Sequence, residues 1–410
     1  MSLLLRCARV VDGVGGALTE HGVLIEDARI IRIAPLDAFE GYAGEDLSLD
    51  DATVLPGLID CHVHLCFDAE PNPGEATDKM PPGAVAVRAL ANAQRTLRGG
   101  ITAIRDCGGK DYLEFAARDA CNGGQFQGPT IRASGRMICM TGGHGNRFGR
   151  VADGVEDVVR AVREQVHAGS DLVKIMATGG VMTPGVDPED AHYSAEEMAA
   201  GIAEGHRFHK TCASHAQGTE GILNAVRGGI DSIEHGIFMS EKCIEEMLER
   251  RTFLVPTLSA LKNILAASDQ GIPDYVLEKA TRVSETHQRS IRMFYDAGGR
   301  IAMGTDAGTP FNHHGENAQE LRYMVNVGIS PMDAITFSTS NAADLMRLEH
   351  TGRIQEGAVA DLLVVDGNPL EDIDAVANSA HHRLVIKGGK QVHATPGAHA
   401  VEVSALAAAQ

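Results

Sequence analysis

Pro56-Gly57-Leu58-Ile59-Asp60-Cys61-His62-Val63-His64 is an apolar run that ends in two histidines spaced i, i+2. Along a strand such residues point to the same side, so both imidazoles can grip one ion or simply stand as half-exposed strand-end side chains. The same form recurs down the chain. Strand-like runs at 58–65, 101–107, 130–134, 171–177, 211–215, 231–235, 253–257 and 300–305 alternate with longer helical stretches. Strand followed by helix, eight times, predicts parallel pairing with right-handed crossovers. The expected fold is α/β, a (β/α)8 TIM-type barrel over residues 56–350.

The intervening segments carry helix signals. Ser194 and Glu197 have the spacing of a capping box, and Ser330-Pro331-Met332-Asp333 sets a cap, a first-position proline and a first-turn acid. Residues 275–297 have helical apolar spacing and stop at Gly298-Gly299. Outside the barrel, residues 3–11, 23–26, 29–34 and 52–55, then 352–354, 361–365 and 384–387, read as short strands. Neither set makes a core alone, so 1–55 and 351–410 are expected to combine into one small β-sandwich domain. The Pro- and Gly-rich stretch 69–84 reads as a mobile loop beside the site, and the Ala-rich stretch 398–410 as a helix or loose tail.

Composition narrows the partners. Hydrophobic residues make up 44% and charged residues 22%, the balance of a globular chain with a sizeable core. The formal charge of −19 opposes binding to nucleic acid or to an anionic membrane, which needs clustered Lys and Arg. No apolar run approaches the roughly 20 residues of a membrane span, and the start has no secretory pattern, so a cytoplasmic protein is expected. Eight scattered cysteines form no zinc or CxxC pattern and are expected to be reduced and buried.

The chemistry concentrates where strands end. Lys174 alternates with Val173 and Ile175 and therefore faces inward, where a bare ammonium must be paired, led out to solvent or chemically altered. His215 ends the fifth strand, Glu234-His235-Gly236 the sixth, and Thr305-Asp306 the eighth. The carboxyl ends of barrel strands converge on one pocket. His62, His64, Lys174, His215, His235 and Asp306 are therefore its candidate metal-site residues. Gly-flanked His144 follows strand three. Arg105-Asp106 ends strand two, either as a buttress of the pocket or as a structural pair. The glycine-rich loop 179–185 has no phosphate-binding lysine and reads as room for substrate.

With these residues assembled, the chain resembles the amidohydrolase superfamily over nearly its whole length. Pro56-Gly57-x-x-Asp60-x-His62-x-His64 carries the resemblance most specifically. Lys174, His215, Ile233-Glu234-His235-Gly236, Gly304-Thr305-Asp306 and Gly357-Ala358-Val359-Ala360-Asp361-Leu362 support it. Within the superfamily it is most similar to the imidazolonepropionase-related branch of Xaa-Pro dipeptidases, Arg/Lys carboxypeptidases and ochratoxin-type amide hydrolases. That resemblance implies two divalent metal ions, usually zinc. His62, His64 and Asp306 would hold the first, His215 and His235 the second. Lys174, carbamylated by CO2, would bridge them, which also removes the cost of an inward ammonium. It implies further that a metal-bridged hydroxide attacks the amide carbonyl, with Asp306 shuttling the proton and His144 holding the oxyanion.

The partners so implied are a small-molecule amide or peptide and further copies of the chain in a homo-oligomer. Gln217, His313 and His314 are the candidate substrate-binding residues. Prolidases of the branch have Tyr directly after the His-Ala of strand five; here Gln217 follows His215-Ala216, which weakens the case for proline specificity. The leading expectation is a two-metal amidase acting on N-acyl amino acids or dipeptides, favoured by the strand-four lysine. An imidazolonepropionase-like cyclic-amide hydrolase or deaminase is the alternative, and an inactive binding scaffold the lesser one.

Overall fold

The computed structural model describes residues 2–394, so the expectation for 398–410 lies outside the described residues. The chain opens with β1 (Ser2–Val11), β2 (Ala17–Glu26), β3 (Arg29–Pro35) and β4 (Glu45–Pro56). Next come β5 (Leu58–Val63), β6 (Ile101–Asp106), β7 (Thr130–Ala133), β8 (Ile138–Cys139) and β9 (Arg150–Val151). They are followed by β10 (Leu172–Met176), β11 (Thr211–Ala216), β12 (Ser232–His235) and β13 (Phe253–Val255). The last strands are β14 (Leu362–Asp366), β15 (His382–Lys387) and β16 (Lys390–Ala394).

The two chain ends pair with each other. Among the described residues they form a seven-stranded sheet, in the order β16-β15-β14-β4-β1-β2-β3. In it β4 runs parallel to β1 and antiparallel to β14, with Val54 opposite both Val10 and Val364. Val10, Val54, Leu362 and Val364 are fully buried in one cluster. β2 and β4 begin well before the expected 23 and 52. Their first halves are mostly exposed, so no apolar alternation marks them.

The middle of the chain forms two parallel sheets, β13-β12-β11-β10-β8-β9 and β5-β6-β7. Helices lie in the connections. Helix Ala195–Arg207 starts at the expected capping box on Ser194, and helix Pro331–Phe337 starts at the expected Ser330 cap. The expected helix at 275–297 is found as Asp274–Asp296. Backbone hydrogen bonds continue beyond the sheets: Asp171 donates to the Ala133 carbonyl at 2.8 Å, and Leu254 to the Arg300 carbonyl at 2.8 Å. Cys61 donates to Met303 at 2.8 Å, and Asp306 to His62 at 2.7 Å. Segment 300–307 thus lies between β13 and β5.

That segment touches its neighbours at isolated bridges, through Ile301 and Ala307, rather than as the strand expected at 300–305. Asp306 has a φ of +63°, outside strand geometry. Gly304 allows the close approach, since a Cβ there would collide with Val255 and stand 2.9 Å from the His62 Cβ. The expected loop at 69–84 also needs correction. It contains helix Pro73–Asp78, capped by Asn72, and the start of helix Pro82–Arg98. Both prolines sit at the first helical position, where their missing N–H costs nothing. All eight cysteines are buried and free. No helix among the described residues is long and apolar enough to cross a membrane.

Candidate active site

Parallel register brings the strand-end residues together. His215 of β11 lies opposite Met176 of β10, and His235 of β12 opposite Ala216. The His62 ring is 5.3 Å from His64 and 5.2 Å from His235, and the His215 ring is 4.6 Å from His235. Asp306 Oδ1 stands 3.1 Å from His64 Nε2 and 3.5 Å from His62 Nε2. Donor atoms of His62, His235 and Asp306 lie within 4.8 Å of one another, a triad that draws on both of the ligand sets expected from the resemblance.

Partners behind the rings fix which nitrogen is free. His62 Nδ1 meets Glu234 Oε2 at 2.8 Å, His64 Nδ1 the Gly108 carbonyl at 2.7 Å, and His215 Nε2 the Gly179 carbonyl at 2.8 Å. A carbonyl or carboxylate can only accept, so each of those nitrogens carries the proton. His235 Nδ1 lies 2.7 Å from Thr257 Oγ1, whose own hydrogen goes to the Pro256 carbonyl, so His235 donates as well. Four imidazoles therefore keep a lone pair on the other nitrogen, which is how a protein presents histidine to a metal.

At three of the four rings protonation agrees with this. Burial pushes His235 down to about 3 and takes His62 and His215 well below the ordinary imidazole value. His64 instead rises, because Asp306 beside it outweighs burial. Lys174 is 1% exposed, and its Nζ has no hydrogen-bond partner in this cluster. Asp306 Oδ1 also lacks a hydrogen bond of good geometry. A buried amine without a hydrogen-bond partner, beside a carboxylate and a ring of imidazoles, fits a divalent-cation site. His235 (φ +72°) and Asp306 (φ +63°) both hold left-handed backbone, a conformation that costs energy in non-glycine residues and clusters at functional sites.

His144 sits on the excursion between β8 and β9, its ring 4.3 Å from that of His215. Its Nδ1 is 2.8 Å from Thr183 Oγ1, and burial lowers it to about 3, so it is neutral. Gly180 packs on this ring, with a Cβ there falling 2.7 Å from its Nε2. The loop carrying Gly180 and Thr183 is clamped by helix Asp274–Asp296. Tyr275 donates to the Met182 carbonyl at 3.2 Å. Lys279 donates to the Thr183 and Val186 carbonyls at 2.8 and 2.6 Å. Sequence reasoning missed Lys279, which looks there like any lysine of an amphipathic helix.

These groups open into a cavity of about 570 Å³. Its walls are largely apolar, through Met137, Met176, Val181, Ile237, Leu261 and Ile264. Gln217 lines it, and its Oε1 is buried without a partner. The other two candidate substrate residues lie elsewhere. His313 is exposed, while His314 is buried with Nε2 3.2 Å from the His64 and Phe67 carbonyls, and neither lines the cavity.

Arg105 and Asp106 do not pair with each other. Asp106 accepts from the backbone of Leu65 and Gly108. Arg105 Nη2 donates to Glu234 Oε1 at 2.8 Å, behind the Glu234–His62 bond. Sequence reasoning gave Glu234 no role of its own, although it directly precedes His235. Both partners are buried, so Arg105→Met would strand the Glu234 carboxylate. Urea unfolding is expected to register a loss of about 3–5 kcal/mol.

Residues 53–392 match the Amidohydrolase family. The chain is 31% identical to ochratoxinase of Aspergillus niger, over 93% of this chain and 84% of that protein. It is 26% identical to imidazolonepropionase of Micrococcus luteus, over 87% and 90% of the two chains. It superposes on a Xaa-Pro dipeptidase with bound methionine at a TM-score of 0.88 and 32% identity, covering 95% of this chain and 99% of that one.

Proposed function

The chain belongs to the amidohydrolase family and is a hydrolase acting on amide bonds; from that premise we propose a two-metal enzyme that cleaves N-acyl amino acids or dipeptides. The observation that carries this reading is that His62, His64, His215, His235 and Asp306 line one cavity with the unpartnered amine of Lys174. We read the two parallel sheets and segment 300–307 as one closed (β/α)8 ring over 56–350, with 1–55 and 351–410 as its β-sandwich domain.

His62, His64 and Asp306 would hold one divalent cation, His215 and His235 the other, and Lys174 as its CO2 adduct would join them. Zinc suits so imidazole-rich a set. When bound, the ions supply Lewis acidity and make water acidic near neutral pH. Asp306 takes the proton of the attacking water and returns it to the leaving amine. His144, with Thr183 donating to Nδ1, keeps its proton on Nε2 and donates to the carbonyl oxygen as that oxygen gains charge. Gln217 Oε1 accepts an N–H of the substrate. The apolar wall excludes water and takes an apolar acyl group or side chain; its volume is within the range of small-molecule sites. Relatives named for ochratoxin and for Xaa-Pro dipeptides support an amide with a free amino acid on its leaving side.

The test is a panel of N-acyl amino acids and dipeptides, offered to protein loaded with zinc in bicarbonate. Turnover of substrates with apolar residues is expected, together with about two ions per chain by elemental analysis. One ion or none, with no turnover, sinks the reading. His144→Ala separates the roles further. It should keep its metal and lose about 10²–10³ in kcat, the usual cost of one oxyanion donor. Loss of metal would make His144 a ligand instead, and full kcat would remove it from the chemistry.

A further inference from the structure

The opposite end of the parallel strands carries a second cavity, of about 220 Å³. Leu172 and Thr211, the first residues of β10 and β11, line it, and so do Arg105, Arg132, Lys210 and Arg347. The chain has 55 acidic side chains against 36 basic ones, yet four cations meet here with a single lining carboxylate, Asp171, among the described residues.

That carboxylate is already engaged. It accepts from Arg118 Nη1 at 3.2 Å and from the backbone N–H of Ala133 at 2.9 Å, and Arg132 reaches it only at 3.5 Å. Arg347 comes no closer than 3.6 Å to Asp231, which His206 and the Cys212 N–H already hold at 2.8 and 2.7 Å. The Lys210 side chain has no hydrogen-bond or ion-pair partner among the described residues. The floor is Arg105, 1% exposed and fixed by Cys61, Ser232 and Glu234. Three poorly neutralised cations share this small space, and an anion between them would lower the mutual repulsion that solvent only partly screens.

We propose that this cavity binds a tetrahedral oxyanion of the phosphate class, free or as the head of a small phosphomonoester. Lys210, Arg132 and Arg347 would hold it above Arg105. Cations arriving from four separate segments suit a dianion with several acceptor oxygens better than a carboxylate, which one guanidinium fork can satisfy. The volume excludes a polynucleotide or a folded partner as the buried group.

Calorimetric titration of the metal-loaded protein at low ionic strength tests this, with inorganic phosphate in one arm and glycerol 3-phosphate in the other. Binding is expected in the wild type, with at least tenfold weaker affinity in Lys210→Ala/Arg347→Ala and retention in Lys210→Arg. Tighter binding of the ester identifies a phosphomonoester head; equal or weaker binding identifies the free ion. Absence of binding, or a loss of less than tenfold in the double variant, overturns the proposal. The second result would place the phosphate elsewhere, as at the histidine cluster. If the double variant does not fold, Lys210→Ala alone is held to the same threshold, since its side chain has no partner to lose.

Discussion

Asp306→Asn is expected to lower kcat by about 10²–10⁴-fold, the range lost with a general acid–base group. The carboxylate faces two imidazole Nε2 atoms, at 3.1 and 3.5 Å. Although burial pushes its pKa up, the surrounding histidines, His62 and His64 first, prevail and keep it below the usual carboxylate range. It is therefore ionised and ready to take a proton at neutral pH. Asparagine preserves the shape and the left-handed backbone, which Asn tolerates better than most residues. What it removes is proton acceptance. Single-turnover assays paired with metal analysis check this: a variant that keeps two ions and loses kcat isolates the proton transfer. A variant with full kcat would show that Asp306 moves no proton.

Lys174→Ala is expected to cost at least as much, because the bridge between the ions is lost as well as any charge it carries. An ammonium at 1% exposure with no partner is a costly state for the native protein, and carboxylation by CO2 turns it into an anion with two oxygen donors. Turnover should fall towards background and metal content below two ions per chain. Short carboxylic acids should restore part of both, since they place an oxygen donor in the space the side chain vacates. Full activity in Lys174→Ala would make this lysine structural.

Much of this site was legible in the sequence because each strand announces its own end. His62-Val63-His64 and Glu234-His235-Gly236 break apolar runs with metal-type residues, and parallel strands deliver such residues to one edge. What stayed hidden depends on contacts between distant segments. Arg105 finds Glu234 across the sheet order, not its neighbour Asp106. Thr183 meets His144 from another loop, and Lys279 clamps that loop from a helix nearly a hundred residues on. Residues 300–305 read as a strand because their apolar content matches one. Gly304 and the backbone of Asp306 serve instead to bring the carboxylate against β5. In 69–84 the Pro- and Gly-rich composition reads as a mobile loop, whereas Pro73 and Pro82 each start a helix.

The seven-stranded sheet also sets an order of events during synthesis. Its inner strand β4 is flanked by β1, made earlier, and by β14, which leaves the ribosome only after every residue of the two parallel sheets. Until then the row Ala52–Pro56 is an edge unpaired on that side, with the β-prone Thr53 and Val54 in it, and unpaired edges of this kind invite pairing with other chains. The pairing of Val54 with Val364 is among the most non-local contacts a chain of this length can make, and such contacts form slowly. A nascent chain stalled before Leu362 does not merely lack a tail. It exposes the middle of a sheet, which only the last strands cover.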